Sequence, residues 1–543
     1  MSSDAPSKHS QSHLELAREY AQRAFFNSYL RDFNLPYESA EKCFQIPLPT
    51  GTFPLSVEHH SLLGSHSFAA QDLSSLIHQL STSQLAARVE QGQRELELIF
   101  RERREAMDQL YASLPDFLTA EQGLYLGHNF HPAPKARSGF ELQDLRTYAP
   151  EFANYFPLRW LHIHHDVLWE HRAQSFADTD WVSELYPGRQ RSAYLALPTH
   201  PWQLRRWFQH PQIQQYLQQG LIFTADEDPA KWTATSSLRT LYRAGARYML
   251  KFSMSLQLTN SLRHMQPQEI VRGMLLRDIF HTPTGQRFGQ RFPQFRLMHE
   301  PACFALRDEF GKIMPETMVL LRENPFRTED STSCMVLATL NQPHPLTGQS
   351  FYSHCLREHT PDSWFDAFLT QIVKPLLVAQ GDFGVLLGAH QQNLVVRLAR
   401  GLPCGGYFRD AQGTGVSKLA FERFSTELAA PQRLVEHHVP FAAAKDLFCY
   451  YLIVNSVFST ISALSRAGKV PEKNFVLQLR AFLLDLAPEL MDRQIVDHLL
   501  SSPTLKQKGN FTCSTRALNE NTLVDPLSIY NHIPNPIALV AHP

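Results

Sequence analysis

An α+β fold divided into several lobes is what the amino-acid sequence predicts, on three observations. The chain has 543 residues, too many for a single hydrophobic core. Residues 1–126 carry long runs of helical period with few glycines, which predicts a mainly helical N-terminal lobe. In residues 127–318 short strand patterns alternate with His-, Pro- and Gly-rich loops, and residues 319–543 mix strands with a return to helix.

The totals bound the function. Lys+Arg 51 against Asp+Glu 52 leaves a formal charge of -1, so the whole chain makes no case for a nucleic-acid or membrane partner. Seven scattered cysteines without a C-x-x-C predict reduced thiols in a cytoplasm, not a disulfide framework or zinc ribbon. Residues 1–13 lack an apolar stretch, so no secretory signal is expected. The most apolar run, 447–464, is interrupted by Asn455, Ser456, Ser459, Thr460 and Ser462 and reads as a buried helix.

In the N-terminal lobe the clearest helix is 84–114. Leu85, Val89, Leu96, Ile99 and Phe100 line one face, Gly92 interrupts it, and Pro115 ends it. GHNFHPAPKARSGF follows at 127–140. Pro132 and Pro134 forbid a regular helix, and an extended backbone puts His131, Lys135 and Arg137 on one side. Such donors suit a carboxylate or phosphate. Metal ligation by His128 and His131 lacks a third ligand at the usual spacing. His162, His164 and His165 form a further histidine cluster, and His200 in LPTHPWQ reads as a structural corner.

Residues 235–263, TSSLRTLYRAGARYMLKFSMSLQLTNSLR, read as two strands joined at Ala244-Gly245-Ala246. Period-two alternation gathers Ser237, Arg239, Lys251, Thr259 and Arg263 on one polar surface, a set suited to a polyanion such as a triphosphate or tricarboxylate. A solvated sheet face is the alternative. Beyond it stand Arg322-Glu323-Asn324-Pro325, a strand at 384–387 leading to His390-Gln391-Gln392-Asn393, and Phe408-Arg409-Asp410. An Asn and an Asp on neighbouring elements can hold magnesium against phosphates. Helices are expected at 362–380 and 445–464. Asp382-Phe383-Gly384 precedes the Asn-bearing loop and no glycine-rich loop exists, so a kinase of the eukaryotic type is excluded. Walker A spacing, a G-x-S-x-G elbow and H-E-x-x-H are also missing.

Taken in order, GHNFHPAPKARSGF, THPWQ, TSSLRT, KFSMSLQLTNSLR, RENP, HQQN and FRD resemble the NRPS-independent siderophore synthetases, the IucA/IucC-like family. The resemblance covers residues 127–410, and DPLSIYNHIPNP near the C-terminus adds to it. It implies a cupped hand of helical thumb, sheet-containing fingers and mixed palm, often dimeric. It also implies a ligase using ATP and Mg²⁺ to adenylate citrate or a citrate derivative. A polyamine, amino acid or amino alcohol then takes up the acyl group. By motif, Ser237, Arg239, Lys251, Arg322, His390, Gln392, Asn393 and Asp410 match nucleotide contacts, with Asn393 and Asp410 toward the metal. His128, His131, Lys135, Thr259 and Arg263 match the carboxylate side, and Arg239, Lys251, Arg263 and His128 carry the catalytic expectation. The family pattern is broken at Gly388, where a Glu usually precedes Ala-His, and a positive φ is one reason for a glycine there. A non-catalytic partner subunit and a metal-dependent hydrolase are the competing readings.

Overall fold

The N-terminal lobe is built on the helix His13–Phe33, started by a capping box in which Ser12 and Glu15 satisfy each other's backbone N–H. The computed structural model describes residues 12–540, apart from 179, 187, 226–228, 328–332, 519–522 and 524. Most of the N-terminal stretch behind the expectation of no secretory signal, residues 1–11, therefore lies outside the described residues.

This lobe is less helical than its sequence suggests. Between the helices His13–Phe33 and Ser83–Glu102 lies a four-stranded antiparallel meander, Tyr37–Glu38, Cys43–Leu48, Gly51–His59 and Ser67–Phe68. Phe44, Ile46, Leu55 and Val57 alternate inward from it, the strand period that turns one face to the core. The single helix expected over 84–114 is two, Ser83–Glu102 and Arg104–Leu110, broken at Arg103. Gly92 is explained by proximity: a Cβ there would sit 3.4 Å from the backbone nitrogen of Ala136, so the 127–140 segment crosses the helix at this residue.

The middle lobe carries a seven-stranded antiparallel sheet. Its order is Tyr155–Pro157, Lys231–Ala234, Thr240–Tyr242, Tyr248–Phe252, Val319–Glu323, Ala302–Leu306, Leu168–Arg172. The expected hairpin is present, Thr240 opposite Lys251, with Gly245 at φ 79 in its turn. Three features differ from expectation. Ser237 and Arg239 precede the first strand, in a loop where Leu238 takes φ 68. The second strand stops at Phe252, and Met254–Leu258 pairs instead with Ser261–Arg263 and Arg137–Ser138 in another sheet. Every residue of Tyr248–Phe252 is buried, Lys251 included, while Ser237, Arg239, Thr259 and Arg263 are partly exposed and line a cavity.

The last lobe wraps long helices around a four-stranded sheet made of Phe295–Leu297, Leu402–Phe408, Leu394–Ala399 and Cys334–Val336. Helices run over 361–383 and Phe441–Gly468, each with an internal π-helical stretch, Leu369–Val373 and Cys449–Val457. In Phe441–Gly468 89% of the apolar window is buried within the protein, as a core helix requires. The large core cluster takes residues from the first and last lobes and, through Leu145, Phe152, Leu275 and Phe280, from the middle one, which ties the α+β architecture together. All seven cysteines are free thiols.

Candidate active site

A cavity of about 310 Å³ opens where the three lobes meet. Ser237, Arg239, Thr259, Arg263, His128, His131, Lys135, His390, Gln392, Asn393 and Asp410 all line it. Lys251 and Arg322, also expected at the site, stand directly behind Asp410.

Asp410 ends the Phe-Arg-Asp stretch in the left-handed region, at φ 70, which turns its side chain back toward the sheet. Lys251 Nζ donates to Asp410 Oδ1 at 2.8 Å, and Arg322 Nη2 lies 3.5 Å from Oδ2. Both cations share a second carboxylate, Glu300, at 3.6 Å from Lys251 Nζ and 2.5 Å from Arg322 Nη2. Lys251 is 0% exposed, while Asp410 keeps 24% of its side chain open to the cavity. Burial alone would raise the Asp410 carboxyl, but Lys251, Arg322 and Arg239 hold it well below the usual carboxylate range. Among the described residues the hydrogen bonds of Arg239 go to neutral acceptors, the Arg263 carbonyl at 3.0 Å and Gln412 Oε1 at 3.4 Å. Glu269 also acts on Arg239 and Lys251, so Arg239, Lys251 and Arg322 are set among three carboxylates, Glu269, Glu300 and Asp410, and of these cations Arg239 is the one that lines the cavity.

The opposite wall is built from the 127–140 segment and the Thr259 turn. His128 Nδ1 accepts the Phe130 N–H at 3.1 Å and His131 Nδ1 accepts the Ala133 N–H at 3.1 Å, so both rings carry their proton on Nε2. Burial drives the pKa of His128 down to about 3 and that of His131 well below the usual value. Both are neutral hydrogen-bond donors, and His131 spends its donor on Asn260 Oδ1 at 3.1 Å. Thr259 sits at φ 53, held by Arg263 Nη2 to its Oγ1 at 2.8 Å and by Arg88 Nη2 to its carbonyl at 2.5 Å.

Lys135 departs from its expected role. Its ammonium donates to Glu151 at 2.5 Å and to the Leu124 carbonyl at 2.6 Å. Arg137 joins Glu151 and Glu95 in the same buried network. His131, Lys135 and Arg137 all reach the cavity, but His131 bonds Asn260 while Lys135 and Arg137 are held by Glu151. These ion pairs fasten the segment, with Glu151 the common partner of both cations.

From the last lobe, Asn393 Nδ2 donates to the Gly388 carbonyl at 3.1 Å, and burial lowers the pKa of His390 to about 4. Gly388 has no positive φ. A Cβ there would lie 2.6 Å from the Gly413 carbonyl oxygen, so glycine serves close approach between the 388–393 and 410–413 loops. The π-helical stretch places Tyr450, Tyr451 and Asn455 on the cavity wall, and the C-terminal hairpin adds Lys508.

Sequence reasoning missed Glu121, Glu300, Arg88 and Lys508. Glu121, fully buried, meets Arg409 Nη1 at 2.7 Å and accepts the Ser236 N–H at 2.9 Å. None of the four stands in a local pattern; Glu121, Glu300 and Arg88 are buried, and Lys508 is half-buried on the cavity wall. His200 is the structural corner expected, its Nδ1 accepting the Trp202 N–H at 3.2 Å. Asn324 likewise serves a turn, through the Phe326 N–H and the Ala246 carbonyl. Among the described residues His162, His164 and His165 do not converge as metal ligands, nor does any group of three at the cavity.

Two comparisons of sequence and one of structure bear on this site. Residues 116–342 match the IucA / IucC family and residues 362–525 match the ferric iron reductase FhuF-like transporter family. The chain is 37% identical to N(2)-citryl-N(6)-acetyl-N(6)-hydroxylysine synthase of Vibrio mimicus, over 80% of this chain and 76% of that protein. It is 30% identical to a spermidine-citrate ligase of Bacillus anthracis, over 84% and 79% of the two chains. The structure of ATP-bound aerobactin synthetase IucA from Klebsiella pneumoniae superposes with a TM-score of 0.84 at 30% identity, covering 96% of this chain and 99% of that one. That coverage includes the FhuF-like region, which is therefore an integral part of the synthetase-like fold.

Proposed function

From the premise that the chain belongs to the IucA/IucC family of siderophore synthetases, we propose that it joins a citrate-type carboxylic acid to an amine at the expense of ATP. The observation that carries this reading is the cluster of Arg239, Lys251 and Arg322 around Asp410, facing a cavity whose other wall offers Arg263 and His128. One wall suits a triphosphate and the other a polycarboxylate. The names of both relatives pair a citryl or citrate group with an amine, and the amine differs between them.

ATP supplies the activating group: a carboxylate oxygen bonds to the α-phosphorus, pyrophosphate leaves, and the amine then displaces AMP from the acyl carbon. This chain's residues make that encounter of anions feasible. Arg239 and Lys251 are fixed before substrate arrives, so their charge opposes the repulsion without reorganising. Arg263 and the Nε2–H of neutral His128 hold the acid from the far wall; with its Nδ1 occupied by a backbone N–H, His128 is an orienting donor and not a proton acceptor. Mg²⁺ would be carried mainly by phosphates, with Asn393 and the cavity-facing Asp410, whose oxygens it would share with Lys251 and Arg322, as the protein donors, because a magnesium octahedron needs few protein ligands. A cytoplasmic homodimer completes the proposal.

Incubation with ATP, Mg²⁺, citrate and hydroxylamine tests it. Citrate-dependent pyrophosphate together with a citryl hydroxamate is the expected result. Binding of ATP without turnover would make the chain a non-catalytic member and defeat the proposal.

A further inference from the structure

The helix Ser83–Glu102 of the N-terminal lobe lies behind the carboxylate-handling wall, and it precedes the residues matched to the IucA / IucC family. Arg88, Gly92 and Glu95 touch that wall, and their spacings of four and three put them on one helix face. Glu95 Oε1 accepts the Arg137 N–H at 3.2 Å, and Gly92 lets the backbone of Ala136 come close. Arg88 reaches further, to the Thr259 turn, where its Nη2 donates to the Thr259 carbonyl at 2.5 Å.

This contact holds a residue in a conformation that its own backbone does not favour. Thr259 sits at φ 53, in the left-handed region, which costs a β-branched residue more than most. The turn joins Met254–Leu258 to Ser261–Arg263, and its oxygens divide between two guanidiniums. Arg263 Nη2 donates to the Leu258 carbonyl at 3.1 Å and to Thr259 Oγ1 at 2.8 Å, whereas the Thr259 carbonyl goes to Arg88. Arg88 is only 8% exposed. Among the described residues this is the one hydrogen bond of its guanidinium, a charged donor of the stronger class.

We propose that Arg88 is a positioning residue for the acid substrate: it fixes the Thr259 turn, and the turn aims the Arg263 guanidinium at the substrate carboxylate. The inference rests on reading the cavity as a citrate-type site, and it gives the N-terminal lobe a part in recognising the acid. Arg88 is not among the residues that line the cavity, so it acts through the turn. The nucleotide side is spared, because the Arg263 carbonyl that receives Arg239 belongs to a residue held in strand register with Met254.

Calorimetric titration of the full-length protein, with citrate and separately with ATP, is the test. Arg88→Met should weaken citrate binding about tenfold and ATP binding less than about twofold. Arg88→Lys, which keeps a charged donor, should recover citrate binding to within about threefold of the unaltered protein. In an Arg263→Ala background, Arg88→Met should cost citrate nothing further, because the residue it positions is gone. Equal losses for citrate and ATP, an additive effect beside Arg263→Ala, or an Arg88→Met variant that no longer folds would each make Arg88 a structural pin and overturn the inference. So would an unaltered protein that binds no citrate. A protein that binds both ligands but releases no pyrophosphate would instead defeat the ligase reading, and the two affinities would still decide the role of Arg88.

Discussion

At the scale of single residues, the site separates cations that hold structure from cations that remain for a ligand. Lys135 and Arg137 are held by Glu151 and Glu95, and Lys251 lies buried against Asp410 and Glu300, whereas Arg239 lines the cavity with its hydrogen bonds on neutral acceptors. Arg239→Met should therefore cut citrate-dependent pyrophosphate release at least 100-fold while the protein stays folded, since a charge-assisted phosphate contact is worth about 3 kcal/mol. Near-normal release would reduce the buried cluster to a structural feature. Arg263 makes a different prediction. It braces the Thr259 turn, and its carbonyl positions Arg239 through the main chain, which a side-chain truncation spares. Arg263→Ala should raise the KM for citrate roughly tenfold more than the KM for ATP, the cost of about 1.4 kcal/mol at one ligand only. Equal changes in both constants would assign this arginine to the wrong substrate. Most of these positions were legible because the chemistry demands particular side chains at particular places in recognisable stretches. Glu121 and Glu300 were not, since a lone acid is readable only once its partner, 288 residues away for Glu121 and Arg409, is beside it.

At the scale of elements, the 127–140 segment and the 388–393 loop show how position is enforced. Two carboxylates clamp the first, and their environments push them in opposite directions. Burial raises Glu95 to about 7, while Arg137 and Lys135 outweigh burial at Glu151 and bring it to about 2. For Glu95 the folded state holds its proton more tightly than the unfolded chain does, so stability falls as pH rises from about 4.5 to about 7 and levels off above. Glu151 works the other way, adding stability as pH rises from about 2 to about 4.5. Thermal unfolding of Glu95→Gln should thus gain on the unaltered protein between pH 5 and pH 8, by on the order of 3 kcal/mol at most. A difference that does not change with pH would refute the assignment. The second loop depends on close approach. Gly388→Ala should lower the melting temperature and the rate together, because a Cβ placed 2.6 Å from the Gly413 oxygen must push the two loops apart; an unchanged melting temperature would show that the loops yield freely. The hairpin at 240–252 was legible from alternation and a glycine turn, but its burial was not. Period two says that residues share a face, but not what lies over it: Val319–Glu323 pairs the hairpin's edge, and Asp410, 159 residues beyond Lys251, meets its side chain on that face.

At the scale of the whole molecule, the three lobes meet on one buried pair. Glu121 comes from the helix Phe117–Gln122 of the first lobe, Ser236 from the loop before the hairpin, and Arg409 from the palm side. Arg409 also donates to the Gln392 carbonyl from Nε at 3.1 Å, so one guanidinium sets both palm loops against the finger loop. Removing one partner of such a pair strands a charge in the interior, at a cost of about 3–5 kcal/mol, whereas replacing both with apolar groups is often close to neutral. The two effects can be told apart here. Glu121→Leu alone and Arg409→Leu alone should each lower the melting temperature sharply and weaken ATP binding. The double variant should recover most of the lost stability, because no unpaired charge remains. Its ATP affinity should stay low, because the Ser236 N–H has lost its acceptor and the Gln392 loop its donor. Recovery of both properties in the double variant would mean that the pair holds the lobes together without shaping the site. Failure to recover either would mean that the junction tolerates no repacking, and that the position of the nucleotide wall rests on some other contact between the lobes.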